Sequence, residues 1–183
     1  MKLNDFIATV PVLNKKDCSN LINYFEWNQE SHVRNENEVQ HFTELNLNSL
    51  GADLPTALAH KLRSVINTYT DVHCPTGDRF FPVRYRIEEF RIKRYNNSDC
   101  FKQHVDVGDL NSSRRFLAFL FYLNDDFQGG GTLFKTPEVT YITPKRGNCL
   151  VFPPTWQYPH EGMKANGTKY IMSTYLHYVD SES

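Results

Sequence analysis

Phe101-Lys102-Gln103-His104-Val105-Asp106-Val107, FKQHVDV, reads as a β-strand that carries an imidazole and a carboxylate on one face. Alternate side chains of a strand point the same way, so His104 and Asp106 project together while Phe101, Gln103, Val105 and Val107 project oppositely. Two metal-ligating groups on one surface ask for a third, and His160, in YPHEG after a proline-rich loop, is the candidate. Two histidines and one carboxylate form the face that leaves coordination positions open on non-haem Fe(II). Spacing alone does not bring His160 to the other two.

Outward from this stretch the chain reads as strands. Upstream, VRYRIEEFRIKRY alternates through Val83, Tyr85 and Ile87 and then in the opposite phase through Phe90 and Ile92, which predicts a bulge or break near Glu88. Downstream, FLAFLFYL (116–123) is apolar on both faces and belongs in the middle of a sheet. After NDDFQGGG turns the chain come TLF, VTYIT and CLVF, with a turn at PKRGN, and then PPTWQYP, whose prolines forbid regular pairing. In TKYIMSTYLHYV, Lys169, Ile171, Ser173 and Tyr175 share one face; Tyr170, Met172, Thr174 and Leu176 share the other.

The amino-terminal part is helical in pattern. Asn14 caps a helix with Asp17 in its first turn and an apolar stripe of Cys18, Leu21, Ile22 and Phe25. A second helix follows Asp53, with Pro55 in its first turn and Leu58, Leu62, Val65, Ile66 and Tyr69 at helical spacing. Residues 28–50 read as a long loop with a short strand over 42–47, and HCPTGD (73–78) as a linker. Many short strands preceded by covering helices predict a mostly β fold with flanking helices. We expect one domain over residues 1–183, with a helical support region at 1–70 and a strand core carrying the site at 80–179.

Composition narrows the function classes. A net charge of −1 gives no reason for strong attraction to nucleic acid or anionic membrane, and the Arg84–Arg94 basic segment is interrupted by Glu88 and Glu89. The longest apolar run is far short of a membrane span, and MKLNDFIATV lacks a secretory pattern. Cys18, Cys74, Cys100 and Cys149 are widely separated, which fits reduced thiols and a cytoplasmic location. The sequence carries no signal of oligomeric state.

From about Tyr85 to Tyr178 the chain resembles the iron- and 2-oxoglutarate-dependent dioxygenases of the prolyl 4-hydroxylase superfamily. The resemblance rests on ordered pieces: RY at 94–95, HVD at 104–106, FYLN at 121–124, GGGTLF at 129–134, PHEG at 159–162 and TKY at 168–170. It implies a double-stranded β-helix, or jelly roll, and a chemistry that couples decarboxylation of 2-oxoglutarate by molecular oxygen to hydroxylation, with ascorbate as a supporting reductant. It implies that His104, Asp106 and His160 hold Fe(II) and that Lys169 pairs with the distal carboxylate of 2-oxoglutarate. Tyr122 would orient that carboxylate, Tyr95 and Ser173 would line the same pocket, and Phe134 would pack beside the iron. Buried carboxylates require such a partner, and a lysine supplies charge without a rigid fork. One departure stands out: Gly131 precedes Thr132 where the family commonly has an acidic residue.

The expected reaction is hydroxylation of a proline-containing peptide or protein at C4, with the substrate held by loops at 70–84 and 96–101. Other readings stay open: an oxygenase acting on a free amino acid or a nucleic-acid base, a noncatalytic jelly-roll module binding metal or carbohydrate, and a cupin-like zinc hydrolase. Lys169 behind the site fits a dicarboxylate better than the last of these.

Overall fold

Two helices lie against a long, curled antiparallel sheet in the computed structural model, which describes residues 2–74, 81–136 and 138–180. In chain order the elements are β1 (Ala8–Pro11), α1 (Lys15–Trp27), β2 (Val33–Glu36), β3 (Gln40–Asn46) and α2 (Asp53–His73). The strands β4 (Tyr85–Ile87), β5 (Arg91–Tyr95), β6 (Cys100–His104), β7 (Arg115–Tyr122), β8 (Gln128–Gly129) and β9 (Thr132–Phe134) follow. The chain then forms β10 (Thr140–Ile142), β11 (Asn148–Phe152), β12 (His160–Gly162), β13 (Ala165–Asn166) and β14 (Lys169–Tyr178). The main sheet runs β1-β11-β7-β14-β5-β3-β6-β12-β9-β10, with β2 beside β3 and β4 beside β14; β8 and β13 form a separate pair. This is the mostly β fold with flanking helices expected from the strand pattern, in the jelly-roll form that the resemblance implied.

Two cores follow from strand alternation. The helix-facing core takes Leu117, Phe119 and Phe121 of β7, Cys149 and Val151 of β11, and Met172 and Leu176 of β14, packed with Leu21 and Phe25 of α1 and Leu58, Leu62 and Val65 of α2. The opposite parity builds a smaller core inside the roll from Ala118, Tyr122, Leu150, Phe152 and Ile171, joined by Tyr95 and Phe134. Every second residue of a central strand therefore belongs to the interior that holds the site. Helix α1 is fixed by the predicted cap: Asn14 Oδ1 accepts from the Asp17 amide at 2.9 Å and the Asp17 carboxylate accepts from the Asn14 amide at 3.1 Å.

Several sequence expectations need correction. The region read as helical support also supplies sheet strands, since β1 pairs with β11 and β3 sits between β5 and β6. Over residues 28–50 the expected short strand is present as β3, while the expected loop around it is more regular: β2 pairs with β3 as a hairpin, preceded and followed by 3-10 turns. Its largely exposed polar side chains hid β2. Near Glu88 the predicted break is present, β4 ending at Ile87 and β5 starting at Arg91. Residues 75–80 of the expected linker and substrate loop lie outside the described residues. All four cysteines are free thiols. No helix among the described residues is long and apolar enough to cross a membrane.

Candidate metal and co-substrate site

Strand β6 ends at His104, so Asp106 lies two residues beyond it rather than within a continuous strand. Pairing with β12 brings the third group in, because His160 is the direct cross-strand partner of His104. The side-chain ligand atoms of His104, Asp106 and His160 all lie within 4.8 Å of one another. His104 Nε2 is 3.6 Å from Asp106 Oδ1, and His160 Nε2 is 3.6 Å from Asp106 Oδ2.

The register slips between His160 and Gly162, so that Gly162 faces Phe101 instead of Lys102. This bulge reverses the side-chain phase of β6. Phe101, expected on the face opposite His104, instead stacks on the His104 ring, with centroids 3.5 Å apart and planes 6° from parallel. His160 is enclosed by Phe152 and Phe134, whose centroids lie 4.8 and 5.5 Å away. Phe134 thus packs beside the triad as anticipated.

The hydrogen bonds set the histidine tautomers. His104 Nδ1 is 2.8 Å from the Lys102 carbonyl and His160 Nδ1 is 3.0 Å from the Tyr158 carbonyl. A carbonyl can only accept, so each Nδ1 carries the proton and each Nε2 presents a lone pair. His104 Nε2 is buried with no hydrogen-bond partner. A lone pair left in that state beside a carboxylate and a second imidazole is suited to a divalent cation. Burial would raise the Asp106 carboxyl, but His160, His104 and the Tyr175 hydroxyl together hold it below the usual carboxylate range. Burial also lowers the His160 imidazole, keeping it neutral and able to ligate. The donor set therefore fits Fe(II).

The remaining predicted residues sit along two paired strands. Lys169 is opposite Tyr95, Ile171 opposite Lys93 and Ser173 opposite Arg91, so β14 and β5 form the wall of a cavity that also reaches His104, Asp106 and His160. Lys169 is 2% exposed, and its Nζ stands 5.0 Å from the Tyr95 ring centroid. Burial alone pulls the ammonium from the ordinary 10.5 down to about 8. Among the described residues no carboxylate pairs with this cation to offset its dehydration, and a dicarboxylate entering the cavity would supply one. Tyr122 is set one layer back: its hydroxyl pairs with Thr132 Oγ1 at 2.8 Å, and Thr132 reaches the cavity.

The absent acidic side chain before Thr132 also has a structural reason. A Cβ on Gly131 would collide with the Tyr141 ring and come within 2.6 Å of the Ile142 carbonyl. Tyr141 occupies that space and its hydroxyl accepts from the Gly131 amide at 3.1 Å.

Sequence reasoning missed Tyr175 and Arg115. The Tyr175 hydroxyl donates to Asp106 Oδ1 at 2.9 Å, and the Arg115 guanidinium lies 4.0 Å from the Tyr175 ring centroid. Arg115 also donates to the Asp106 carbonyl at 3.1 Å and to both carboxylate oxygens of Glu88 at 2.8 and 2.9 Å. The signal for Tyr175 was present, because it shares the strand face of Lys169 and Ser173.

Comparison with known proteins agrees with this geometry. Residues 90–177 match the model of the 2OG-Fe(II) oxygenase superfamily. The matched stretch contains the triad and Lys169. The triad and the buried ammonium suit the Fe(II) and 2-oxoglutarate named in that family's description. No curated protein sequence matches significantly. Among solved structures, the fold is similar to a Pseudomonas putida prolyl-4-hydroxylase, with TM-score 0.74 and 16% identity over 96% of this chain and 94% of that one. It is also similar to a viral collagen prolyl hydroxylase of Paramecium Bursaria Chlorella virus-1 solved as a 2OG complex (TM-score 0.73, 17% identity, 95% and 97% coverage). A Trichoplax adhaerens prolyl hydroxylase in complex with a hypoxia inducible factor peptide fragment gives TM-score 0.70 at 15% identity, over 94% of this chain and 84% of that one.

Proposed function

We propose that this chain is a 2OG-Fe(II) oxygenase that hydroxylates prolyl residues of a peptide or protein, with His104, Asp106 and His160 as iron ligands and Lys169 as the partner of the 2-oxoglutarate distal carboxylate. The observation that carries the reading is the convergence of two protonated-at-Nδ1 imidazoles and a carboxylate in a cavity that a buried ammonium also lines. Prolyl hydroxylases among the solved structures of this fold, one of them bound to a peptide, support the choice of substrate.

When bound, Fe(II) and 2-oxoglutarate supply the oxidising chemistry that inserts an oxygen atom into a C–H bond of the substrate. The chain's residues prepare for it. Lys102 and Tyr158 carbonyls fix the two ring tautomers, and Tyr175 holds Asp106 in place through Oδ1. Phe101, Phe134 and Phe152 surround the imidazoles and exclude water from the reacting centre. Lys169 supplies the charge that orients a dicarboxylate along the cavity, with Ser173 on the same strand face and Tyr122 acting through Thr132.

Anaerobic titration with Fe(II) and then 2-oxoglutarate tests the site through the weak visible charge-transfer band of the chelate. Mass spectrometry of a proline-rich peptide library, with succinate measured in parallel, tests the reaction. Succinate formation without gain of one oxygen atom on any proline would reject the prolyl assignment.

A further inference from the structure

The cavity that ends at Lys169 adjoins a second, polar recess, and the two share Lys93, Phe101, His104, Asp106, Ser173 and Tyr175. The recess adds Glu44, Glu88, Glu89, Arg91 and Arg115 to these walls. Its cations are unequally satisfied. Arg115 is held by both oxygens of Glu88, and Arg91 donates to Glu44 at 2.9 Å and also pairs with Glu89. Among the described residues the one ion pair of Lys93 is a long approach to Glu44, 3.8 Å, with Asp106 a more distant anion, and the Glu44 carboxylate already accepts from Arg91.

Lys93 is nonetheless mostly buried, at 8% exposure, with its Nζ 4.9 Å from the Phe42 ring centroid and 5.7 Å from that of Phe101. It projects from β5 on the same face as Tyr95, opposite Ile171 and two residues along the ladder from the Lys169–Tyr95 pair. An ammonium in this position bears a dehydration cost that its long ion pair offsets poorly. Burial accordingly lowers its proton affinity. A dication held by the triad would add further positive charge beside it.

We propose that Lys93 is a specificity-determining residue that captures a carboxylate carried by the substrate, in the recess between the triad and solvent. This rests on the hydroxylase reading above and names the substrate class within it: a prolyl peptide bearing an acidic group close to the target residue. The carboxylate has two possible sources, an Asp or Glu side chain or a free carboxyl terminus. A charge-assisted hydrogen bond in a partly dehydrated recess discriminates against a neutral isostere by about tenfold or more.

The test compares three blocked proline peptides in which the neighbouring residue is Glu, Gln or Lys, and a fourth, neutral peptide ending in proline with a free carboxylate. Binding to the metal-free protein is read by calorimetry, and kcat/KM by oxygen incorporation. Wild type is expected to prefer Glu over Gln by about tenfold or more. Lys93→Met is expected to lose that preference, and Lys93→Glu to favour the Lys peptide, with KM for 2-oxoglutarate unchanged in both. A free-carboxylate peptide that outperforms the Glu peptide assigns the terminus as the source and supports the same subsite.

Equal binding of the Glu, Gln and free-carboxylate peptides by wild type would overturn the proposal without any variant being needed. A large rise in KM for 2-oxoglutarate in Lys93→Met, with peptide preference intact, would also overturn it by giving Lys93 to the co-substrate. Selective binding of the Glu peptide with no oxygen incorporated would sustain the Lys93 subsite while refuting the hydroxylase reading.

Discussion

Replacing Lys169 by methionine should make the ligand-free protein more stable while removing its response to 2-oxoglutarate. Burial lowers this ammonium from 10.5 to about 8. At ~1.36 kcal/mol per pH unit, that difference makes the charged side chain cost the fold about 3 kcal/mol. The sign follows from proton counts. Below pH 8 both folded and unfolded chains hold the proton, and the fold carries the whole cost. Between 8 and 10.5 the folded lysine releases its proton first, so the cost recedes as pH rises, and above 10.5 it is gone. Methionine keeps the apolar stem and removes the charge, and for a chain of this size about 3 kcal/mol corresponds to a melting point higher by roughly 6–12 °C near neutral pH. The assay is thermal unfolding at pH 7 and at pH 10, with and without 2-oxoglutarate on the metal-loaded protein. Wild type should gain from the co-substrate and the variant should not, and the variant's advantage should shrink at pH 10. A Lys169→Met protein that melts no higher than wild type without ligand, or that keeps a 2-oxoglutarate-dependent shift, would refute the reasoning.

The same proton balance predicts that 2-oxoglutarate affinity is level up to about pH 8 and then weakens by about tenfold per unit, as the lysine must regain its proton to bind; calorimetry across pH 7–10 reads this. Tyr175→Phe removes the hydrogen bond that holds Asp106 and should weaken Fe(II) binding by roughly 10–100-fold, measured by anaerobic competition with a chelating dye; unchanged affinity would leave Tyr175 with a packing role only. Asp106→Ala should abolish the Fe(II)-dependent rise in melting temperature, while the fold, read by circular dichroism, persists. Asn14→Ala breaks the reciprocal cap of α1 and should cost about 1 kcal/mol in urea unfolding with little effect on kcat.

The parts of the fold legible in the sequence were those whose burial is carried by side-chain period. FLAFLFYL became β7, flanked on both sides and buried on both faces, and the alternation of β14 separated cavity residues from helix-facing ones. The cap at Asn14 and the break at Glu88 were equally local. What escaped depended on pairing between distant segments. The β6 bulge that turns Phe101 onto His104 exists only against β12. The short strand carrying His160 draws its register from β6 and β9, and Pro11 hid an edge strand whose partner is β11. Of the site, the triad and Lys169 were readable from residue type and resemblance. The Tyr122–Thr132 pair and the Arg115–Tyr175–Asp106 chain required coordinates, since neither connects residues at a spacing that secondary structure dictates.

Strand β14 lines the cavity with its odd-numbered residues, 169 to 175, and supplies much of the helix-facing packing with its even-numbered ones. A single inserted or deleted residue would exchange the two sets wholesale, so this strand can diversify by substitution but not by length. Combinatorial libraries that vary positions 171 and 173 and leave 170, 172, 174 and 176 untouched should therefore return a high proportion of folded proteins with altered substrate preference, whereas a library of the even-numbered positions should return mostly aggregates.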